Sequence, residues 1–180
     1  MALTIIEAGR GAGKTTFARA YAAWFAAGGQ SVGGIVSDAV YHADARVGYD
    51  LVDLRTNVRR PLARLAAAAG TTPTIGRFVF DDQAVAEGNA AIIAAVQDGV
   101  RLIAVDEVGP LELQGDGWSP ALHLALAELK AWQELLLVVR PSLRDQLPAR
   151  FPSDAWAAAS RISPPWPTLH GPSFRPRSTG

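Results

Sequence analysis

Cysteine is absent from the 180-residue chain, which excludes disulfide bonds, cysteine-ligated zinc and thiol nucleophiles. This absence fits a reducing compartment. The three histidines are dispersed, so we expect no histidine-based metal site. No apolar run approaches the roughly 20 residues that a membrane-spanning helix needs, and residues 1–7 carry neither a basic region nor a cleavable apolar stretch. These absences predict a cytoplasmic protein without a membrane partner.

Net charge is also lacking, since seventeen Lys and Arg residues balance seventeen Asp and Glu residues. No global positive field can therefore hold nucleic acid, and any anion must be bound by a local site. The most basic stretch interleaves arginines with aspartates: Asp44, Arg46, Asp50, Asp53, Arg55, Arg59 and Arg60. We interpret it as a solvated, charge-balanced face and expect no nucleic-acid binding. The overall balance leaves a monomer, a weak dimer and an additional protein partner open.

Strand-length apolar runs alternate with segments of helical periodicity along the chain. The predicted strands are Leu3–Glu7, Val32–Val40, Ile75–Phe80, Leu102–Val105 and Leu135–Val139. The predicted helices end at Gly28-Gly29, cover Gln83–Gln97, and begin at Ser119-Pro120, where serine would act as the N-cap. This alternation predicts an α/β three-layer sandwich around a mostly parallel central sheet.

A β-hairpin is predicted as an insertion after the second strand. Apolar residues alternate from Val47 to Leu51, and the alternation slips at Leu51-Val52, where we expect a bulge. Pro61–Ala69 is predicted to be a short helix or a helical loop, which residues 71–73 interrupt.

The end of the chain differs in composition from the rest. Residues 164–180 are rich in proline and lack periodicity. We therefore expect one domain over residues 1–163 and a flexible tail over residues 164–180.

A phosphate-binding loop is predicted between the first strand and the first helix. Residues 8–15 read Ala-Gly-Arg-Gly-Ala-Gly-Lys-Thr, the relaxed form of the Walker A pattern with Ala8 in place of the first glycine. Backbone N–H groups of such a loop and of the helix N-terminus together form an anion cradle. Only Lys14 and Lys130 are lysines in this chain, so a lysine at this position is an uncommon event.

The roles within this loop follow from its chemistry. Glycine at 9, 11 and 13 allows the backbone to curl, Lys14 can reach the β and γ phosphates, and the Thr15 hydroxyl can ligate Mg²⁺. The expected nucleotide-binding residues are Gly9, Arg10, Gly11, Ala12, Gly13, Lys14, Thr15 and Thr16, with Thr16 near the α phosphate. For Arg10, contacts with solvent, a partner or phosphate remain open.

Two carboxylates end the apolar strand Leu102–Val105. Asp106 has the position of a Walker B aspartate, which holds Mg²⁺ directly or through water. Glu107 can orient an attacking water or accept its proton, and a purely structural role is its alternative. Thr15 and Asp106 are thus the predicted metal-binding pair.

Other charged residues near strand ends have two interpretations each. Arg140 follows Leu135–Val139 and could neutralise charge on the γ phosphate, or could form a surface ion pair. The pair Asp81-Asp82 closes a predicted strand and precedes a predicted helix, and we expect it to cap that helix. Glu112 is expected to hold the turn after Asp106-Glu107 by hydrogen bonds.

Four segments within roughly residues 3–147 together carry a resemblance to a known family: the loop at 9–16, the hairpin segments 34–37 and 46–52 with 61–64, the strand 75–80, and Val-Asp-Glu-Val-Gly-Pro-Leu-Glu-Leu at 105–113. By these segments the chain resembles the THEP1-type nucleoside-triphosphatases, which are small P-loop proteins of the ATPase and nucleotide-kinase class. The resemblance implies a P-loop NTPase fold and Mg²⁺-dependent hydrolysis of ATP, GTP and other nucleoside triphosphates.

The sequence departs from this family at two positions near the expected phosphate edge. Pro110 stands where the family usually has lysine, and Val139 stands where it commonly has histidine before the arginine. These departures bear on the catalytic rate more than on nucleotide binding.

Three functions remain open at this point. The first is hydrolysis, in which Glu107 orients water while Lys14 and Arg140 stabilise the developing charge. The second is a nucleotide or small-molecule kinase on the same scaffold, in which Glu107 orients an acceptor hydroxyl. The third is a slow nucleotide-dependent switch whose partner completes the site, which the two departures and Ala8 motivate.

Overall fold

A computed structural model of the protein describes residues 1–66 and 76–169. In this part of the chain, eight strands form one sheet in the order β5-β4-β3-β2-β6-β7-β1-β8. The strands β2, β6, β7, β1 and β8 are parallel, whereas β3, β4 and β5 join the edge of β2 in antiparallel fashion. The predicted mostly parallel sheet is confirmed.

The strands and helices have these bounds. The strands are β1 (Ala2–Glu7), β2 (Val32–His42), β3 (Ala45–Asp53), β4 (Arg59–Leu65), β5 (Phe78–Phe80), β6 (Leu102–Val108), β7 (Glu134–Val139) and β8 (Ser160–Ile162). The helices are α1 (Lys14–Ala27), α2 (Asp82–Gln97), α3 (Pro110–Gln114), α4 (Ser119–Glu128), α5 (Pro141–Arg144) and α6 (Leu147–Arg150), and a 3₁₀ helix covers Asp154–Ala158.

Alternation along the central strands divides the core between the two faces of the sheet. Leu102 and Ala104 face α1, where Phe17 and Tyr21 cover them. Ile103 lies in the opposite cluster, which α2 and α4 cover. Strands that are buried on both faces explain the continuous apolar runs of the sequence. The three-layer arrangement predicted from those runs is confirmed.

The capping of the helices follows the sequence in part. Helix α1 ends at Ala27, and Gly29 takes a φ of +73°, as expected for the paired glycines. Asp81 caps α2 by accepting a hydrogen bond from the backbone N–H of Ala84 at 2.8 Å, also as expected. The prediction for Ser119 is wrong, because Ser119 already lies within α4 and the N-cap position is Trp118.

Two further expectations in the hairpin region are wrong. Residues 61–65 belong to β4 and are not helical, because the open edge of β3 offers hydrogen-bond partners that override the local pattern. Leu51 and Val52 pair regularly with β2 and are both buried, because both faces of β3 are covered there. The register shifts lie instead at Val40/Tyr41 and Tyr49/Asp50.

Some predictions concern residues that the structure does not describe. Residues 67–69, 71–73 and 75 fall in the undescribed segment 67–75, as do residues 170–180 at the end of the chain. The division into a domain and a tail at residue 163 therefore stays a prediction. No helix within residues 1–66 and 76–169 is long and apolar enough to cross a membrane.

Close approach of β2 to β6 requires glycine at position 34. Gly34 has a φ of +87°, and a Cβ atom there would lie 2.1 Å from the carbonyl oxygen of Ala104. Parallel pairing of Gly34 with Ala104 fixes the register that brings the end of β2 beside the end of β6. A side chain at position 34 cannot be accommodated without separating these strands.

We expect Gly34→Ala to lower the free energy of unfolding by about 3 kcal/mol or more, because it adds backbone overlap to an unfavourable positive φ. Gly29→Ala is the matched control, since Gly29 also has a positive φ but nothing lies within 4 Å of its Cβ position. It is expected to cost about 1 kcal/mol. Urea unfolding measures both, and equal losses would contradict the steric argument.

Candidate active site at the carboxyl edge of the sheet

The loop between β1 and α1 has the curled backbone that was predicted for it. Gly11 and Gly13 have φ angles of +78° and +80°, which side-chain-bearing residues rarely adopt. The Lys14 Nζ donates a hydrogen bond to the carbonyl oxygen of Gly9 at 3.0 Å. The lysine therefore folds back across its own loop, at the N-terminus of α1.

The ammonium group of Lys14 lies in a largely desolvated position, with only 7 % of the residue exposed. Burial lowers its pKa, and the charges of Arg140 and Arg46 lower it further. Glu107 and Asp106 act in the opposite direction. An anion beside this ammonium group would stabilise its charged form and so oppose the effect of burial.

Asp106 joins three parts of the structure through one fully buried carboxylate. Its Oδ2 accepts hydrogen bonds from the Thr15 hydroxyl at 2.8 Å and from the Ser37 backbone N–H at 3.0 Å. Its Oδ1 accepts from the Glu107 backbone N–H at 2.8 Å. Burial raises the pKa of Asp106 to about 6, and the neighbouring Glu107 charge adds to this rise.

These groups fit a magnesium ion by their chemistry. Mg²⁺ prefers oxygen ligands, and the Thr15 hydroxyl and the Asp106 carboxylate are already in contact at 2.8 Å. A positive charge there would offset the desolvation of the carboxylate. Ser37, whose backbone N–H bonds Asp106, also has a buried hydroxyl without a hydrogen-bond partner among the described residues.

Glu107 follows in an unusual backbone conformation. Its φ is +55°, and the pairing of β6 with β7 is irregular between Val105 and Val108. Such irregularities re-aim a side chain at a strand end. The Glu107 carboxylate lies 3.7 Å from the Arg140 guanidinium, so the alternative of an ion pair for Arg140 is present and involves the candidate catalytic carboxylate itself.

The hairpin of β2 and β3 adds an arginine that sequence reasoning assigned to a solvated face. Arg46 lines the same cavity as Lys14, Thr15 and Glu107. Its guanidinium donates to the hydroxyl groups of Tyr49 and Tyr41, each at 2.9 Å. Its Nε is buried and has no partner within the part of the chain that the structure describes.

Among the residues that the structure describes, Arg46 forms no ion pair with a carboxylate, in contrast to the other arginines of this basic stretch. Arg59 pairs with Asp38 and Asp50, Arg55 with Asp98, and Arg60 with Glu87. Composition alone could not distinguish Arg46 from these arginines. Which arginine remains without a carboxylate partner depends on contacts between distant segments.

Most of the predicted residues meet around one cavity of about 430 Å³. It is lined by Arg10, Gly11, Gly13, Lys14, Thr15, Thr16, Glu107 and Arg140. Asp106 lies beneath it in contact with Thr15. Gly9 and Ala12 are the predicted loop residues that do not line it, and their carbonyl groups bond to Lys14 and Trp166.

Trp166 packs against the back of the phosphate loop. Its ring stacks on Phe17 with centroids 4.8 Å apart and 12° between the planes. Its indole N–H donates to the Ala12 carbonyl oxygen at 2.9 Å. A residue far along the chain thereby holds the loop that precedes α1.

Glu112 has the structural role expected from the sequence. Its buried carboxylate accepts hydrogen bonds from the backbone N–H groups of Gly109 at 2.6 Å and Trp118 at 2.9 Å. Burial raises its pKa, and these two bonds oppose the rise. These two hydrogen bonds to the Glu112 side chain thus hold the turn that follows Glu107.

Comparison with known proteins gives consistent results. A family model described as NTPase matches residues 4–154. The chain is 36 % identical over 117 residues to a nucleoside-triphosphatase THEP1 of Thermofilum pendens, covering 64 % of this chain and 63 % of that protein, somewhat less than two thirds of its length. It is 30 % identical over 136 residues to a protein of the same name from Pyrococcus abyssi, covering 76 % and 73 %.

A solved structure has the same fold. The solution structure of a human cancer-related nucleoside triphosphatase superposes with a TM-score of 0.68 at 19 % identity, covering 91 % of this chain and 90 % of the other. At this identity the likeness shows the fold.

We expect Trp166→Phe to lower the free energy of unfolding by about 1 kcal/mol, because the hydrogen bond to Ala12 is lost while a ring remains on Phe17. Trp166→Ala should cost more, since the stacking is lost as well. Trp132→Ala is the control, because Trp132 is 55 % exposed. Urea unfolding of the three variants tests this, and equal midpoints for Trp166→Ala and Trp132→Ala would contradict it.

Proposed function

The chain belongs to the THEP1-type nucleoside-triphosphatase family, and on that premise we propose that it hydrolyses Mg²⁺-bound ATP, GTP and other nucleoside triphosphates to the diphosphate and phosphate. The observation that carries this proposal is the 2.8 Å contact between Thr15 and Asp106. It joins the phosphate loop to the strand end that bears Glu107. The phosphate loop, which can donate hydrogen bonds to phosphate, and Glu107, which can accept the proton of water, thus lie at the same edge of the sheet.

Phosphate binding is supported by groups that already point to one place. The loop at residues 9–16 precedes the N-terminus of α1, where backbone N–H groups favour anions. Lys14 supplies a full positive charge whose desolvation strengthens its attraction to phosphate. Thr15 and Asp106 would hold the magnesium ion, which neutralises phosphate charge when it is bound.

Glu107 is the proposed group that orients the attacking water. Its carboxylate lines the phosphate cavity, 3.7 Å from the Arg140 guanidinium, and a carboxylate in this position can accept a hydrogen bond from water. The backbone at φ +55° fixes the direction of this side chain. The other carboxylate of the cavity lining, Asp38, is already paired with Arg19 and Arg59.

Arg140 and Arg46 are the proposed stabilisers of charge on the transferred phosphoryl group. Both line the cavity, Arg140 from the position directly after β7 and Arg46 from β3 of the hairpin. Guanidinium groups suit phosphate oxygens because they donate in a planar fork. This chain has Pro110 and Val139 where the family usually has lysine and histidine. The two arginines therefore supply positive charge in a site that lacks those two residues.

We expect wild-type protein to release phosphate from a panel of Mg²⁺-nucleoside triphosphates. Lys14→Ala should lose nucleotide affinity, since the charge on the phosphates is gone. Glu107→Gln should bind nucleotide as wild type does. Its turnover should be slower by about 100-fold or more, because glutamine cannot accept the proton. Phosphate release and calorimetric nucleotide binding measure the two effects on the same samples.

Two results would count against hydrolysis. One is nucleotide binding by wild type without phosphate release above the Glu107→Gln background. The other is unchanged affinity in Lys14→Ala, which would place the phosphates elsewhere.

We expect Arg46→Ala to lower kcat by about 100-fold with a smaller change in KM, because the guanidinium would act on charge that develops in the transition state. Arg55→Ala is the matched control, since Arg55 is a half-exposed arginine that pairs with Asp98 and does not line the phosphate cavity. Steady-state kinetics with ATP and GTP tests the split. Equal kinetics of the two variants would remove Arg46 from the mechanism.

A further inference from the structure

A second cavity of about 460 Å³ opens beside the phosphate cavity and shares its rim. Five residues line both cavities: Arg10, Ser37, Tyr49, Glu107 and Arg140. The carboxylate proposed to orient water therefore faces two spaces, one beside Lys14 and one away from it. The second space has the volume of a small-molecule site, which is about 300–1,000 Å³.

The interior of this second cavity is aromatic and apolar. Phe78 and Phe80 come from β5, Tyr49 from β3, and Trp118 from the turn before α4, with Leu62 and Val85 between them. The rings of Tyr49 and Phe78 meet edge to face, with centroids 5.4 Å apart. Walls of this kind favour a flat ring, and bases of nucleotides stack well on aromatic side chains.

The rim of the same cavity carries an excess of positive charge. Three arginines, Arg10, Arg77 and Arg140, line it together with Glu107. The other carboxylate of the lining, Glu112, is occupied by two backbone N–H groups. Guanidinium groups without a matching number of carboxylates favour an anionic group, and phosphate fits their donor geometry.

A buried polar atom marks the junction of the two cavities. Ser37 is 3 % exposed, and its hydroxyl has no hydrogen-bond partner among residues 1–66 and 76–169. A buried hydroxyl without a partner is unfavourable, so a ligand group at this junction would satisfy it. A flat ring, an anionic head and a hydrogen-bonding group at the junction together describe a nucleotide.

We propose that the aromatic cavity binds a nucleoside monophosphate and that this nucleotide accepts the γ-phosphoryl group. The base lies among the aromatic side chains, and the phosphate lies between the rim arginines beside Glu107. An oxygen of that phosphate forms the new bond to the γ phosphorus, while the bond from this phosphorus to the β–γ bridging oxygen breaks. One triphosphate and one monophosphate give two diphosphates. The inference rests on the proposed function, because the donor is the triphosphate at the phosphate loop.

The first experiment measures binding separately from turnover. Calorimetry with AMP, GMP, CMP and UMP is expected to show saturable binding of at least one monophosphate to wild-type protein. Val85→Phe places a ring inside the cavity and should weaken this binding by about tenfold or more, because stacking of the base is lost. Ala86→Phe is the matched control, since Ala86 lies on the exposed face of the same helix and should bind as wild type.

The second experiment follows the label from γ-labelled ATP in the presence of the monophosphate that binds. Transfer to the corresponding diphosphate, with reduced release of free phosphate, supports the proposal. Absence of monophosphate binding overturns it, and so does binding with the label found only in free phosphate. Both variants should keep wild-type affinity for ATP. Loss of ATP binding or of phosphate release in wild type without a monophosphate would instead concern the proposed hydrolysis.

Discussion

The buried carboxylate of Asp106 is the constraint on which the arrangement of the site depends. It has no exposed surface and accepts hydrogen bonds from Thr15, Ser37 and Glu107, which belong to α1, β2 and β6. A buried acceptor of this kind is costly unless every lone pair direction is used. Its position therefore fixes the phosphate loop, the start of the hairpin and the Glu107 backbone relative to one another. The parallel pairing of β2, β6, β7 and β1 makes this possible, because all four strands end at one edge.

Charge at this edge is unevenly distributed between the two sides of Glu107. Toward the loop lie Lys14 and Arg46, and neither forms an ion pair with a carboxylate in the part of the chain that the structure describes, although the charges of Asp106 and Glu107 act on Lys14. Toward the aromatic cavity lie Arg10 and Arg77. The whole chain has no net charge, so this local excess of positive charge is balanced by an excess of carboxylates in the rest of the chain. A protein without a global field can thus concentrate enough positive potential for polyphosphate.

The sequence predicted the phosphate loop, Asp106 and the layer order because each depends on local chemistry. The glycine spacing, the rare lysine and the apolar run before two carboxylates can each be recognised within a few consecutive residues. The misassigned features depend on contacts between distant segments. Residues 61–65 became a strand because β3 offered an edge, and Arg46 became a cavity residue because the aspartates near it pair with other arginines. The left-handed backbone at Glu107 also has no sequence signal, since it arises where β6 departs from its register with β7.

The reaction that such a site performs depends on what stands beside Glu107 when the triphosphate is bound. Water can donate a hydrogen bond to the Glu107 carboxylate, whereas an ionised phosphate oxygen has no proton to donate and would be held by the rim arginines. Water needs only the hydrogen bond to Glu107. A second nucleotide also gains stacking and arginine contacts, so it would displace water from the same position when it is present. On the proposal that the aromatic cavity binds a monophosphate, hydrolysis and transfer are alternative outcomes of one geometry, and the occupancy of that cavity would decide between them.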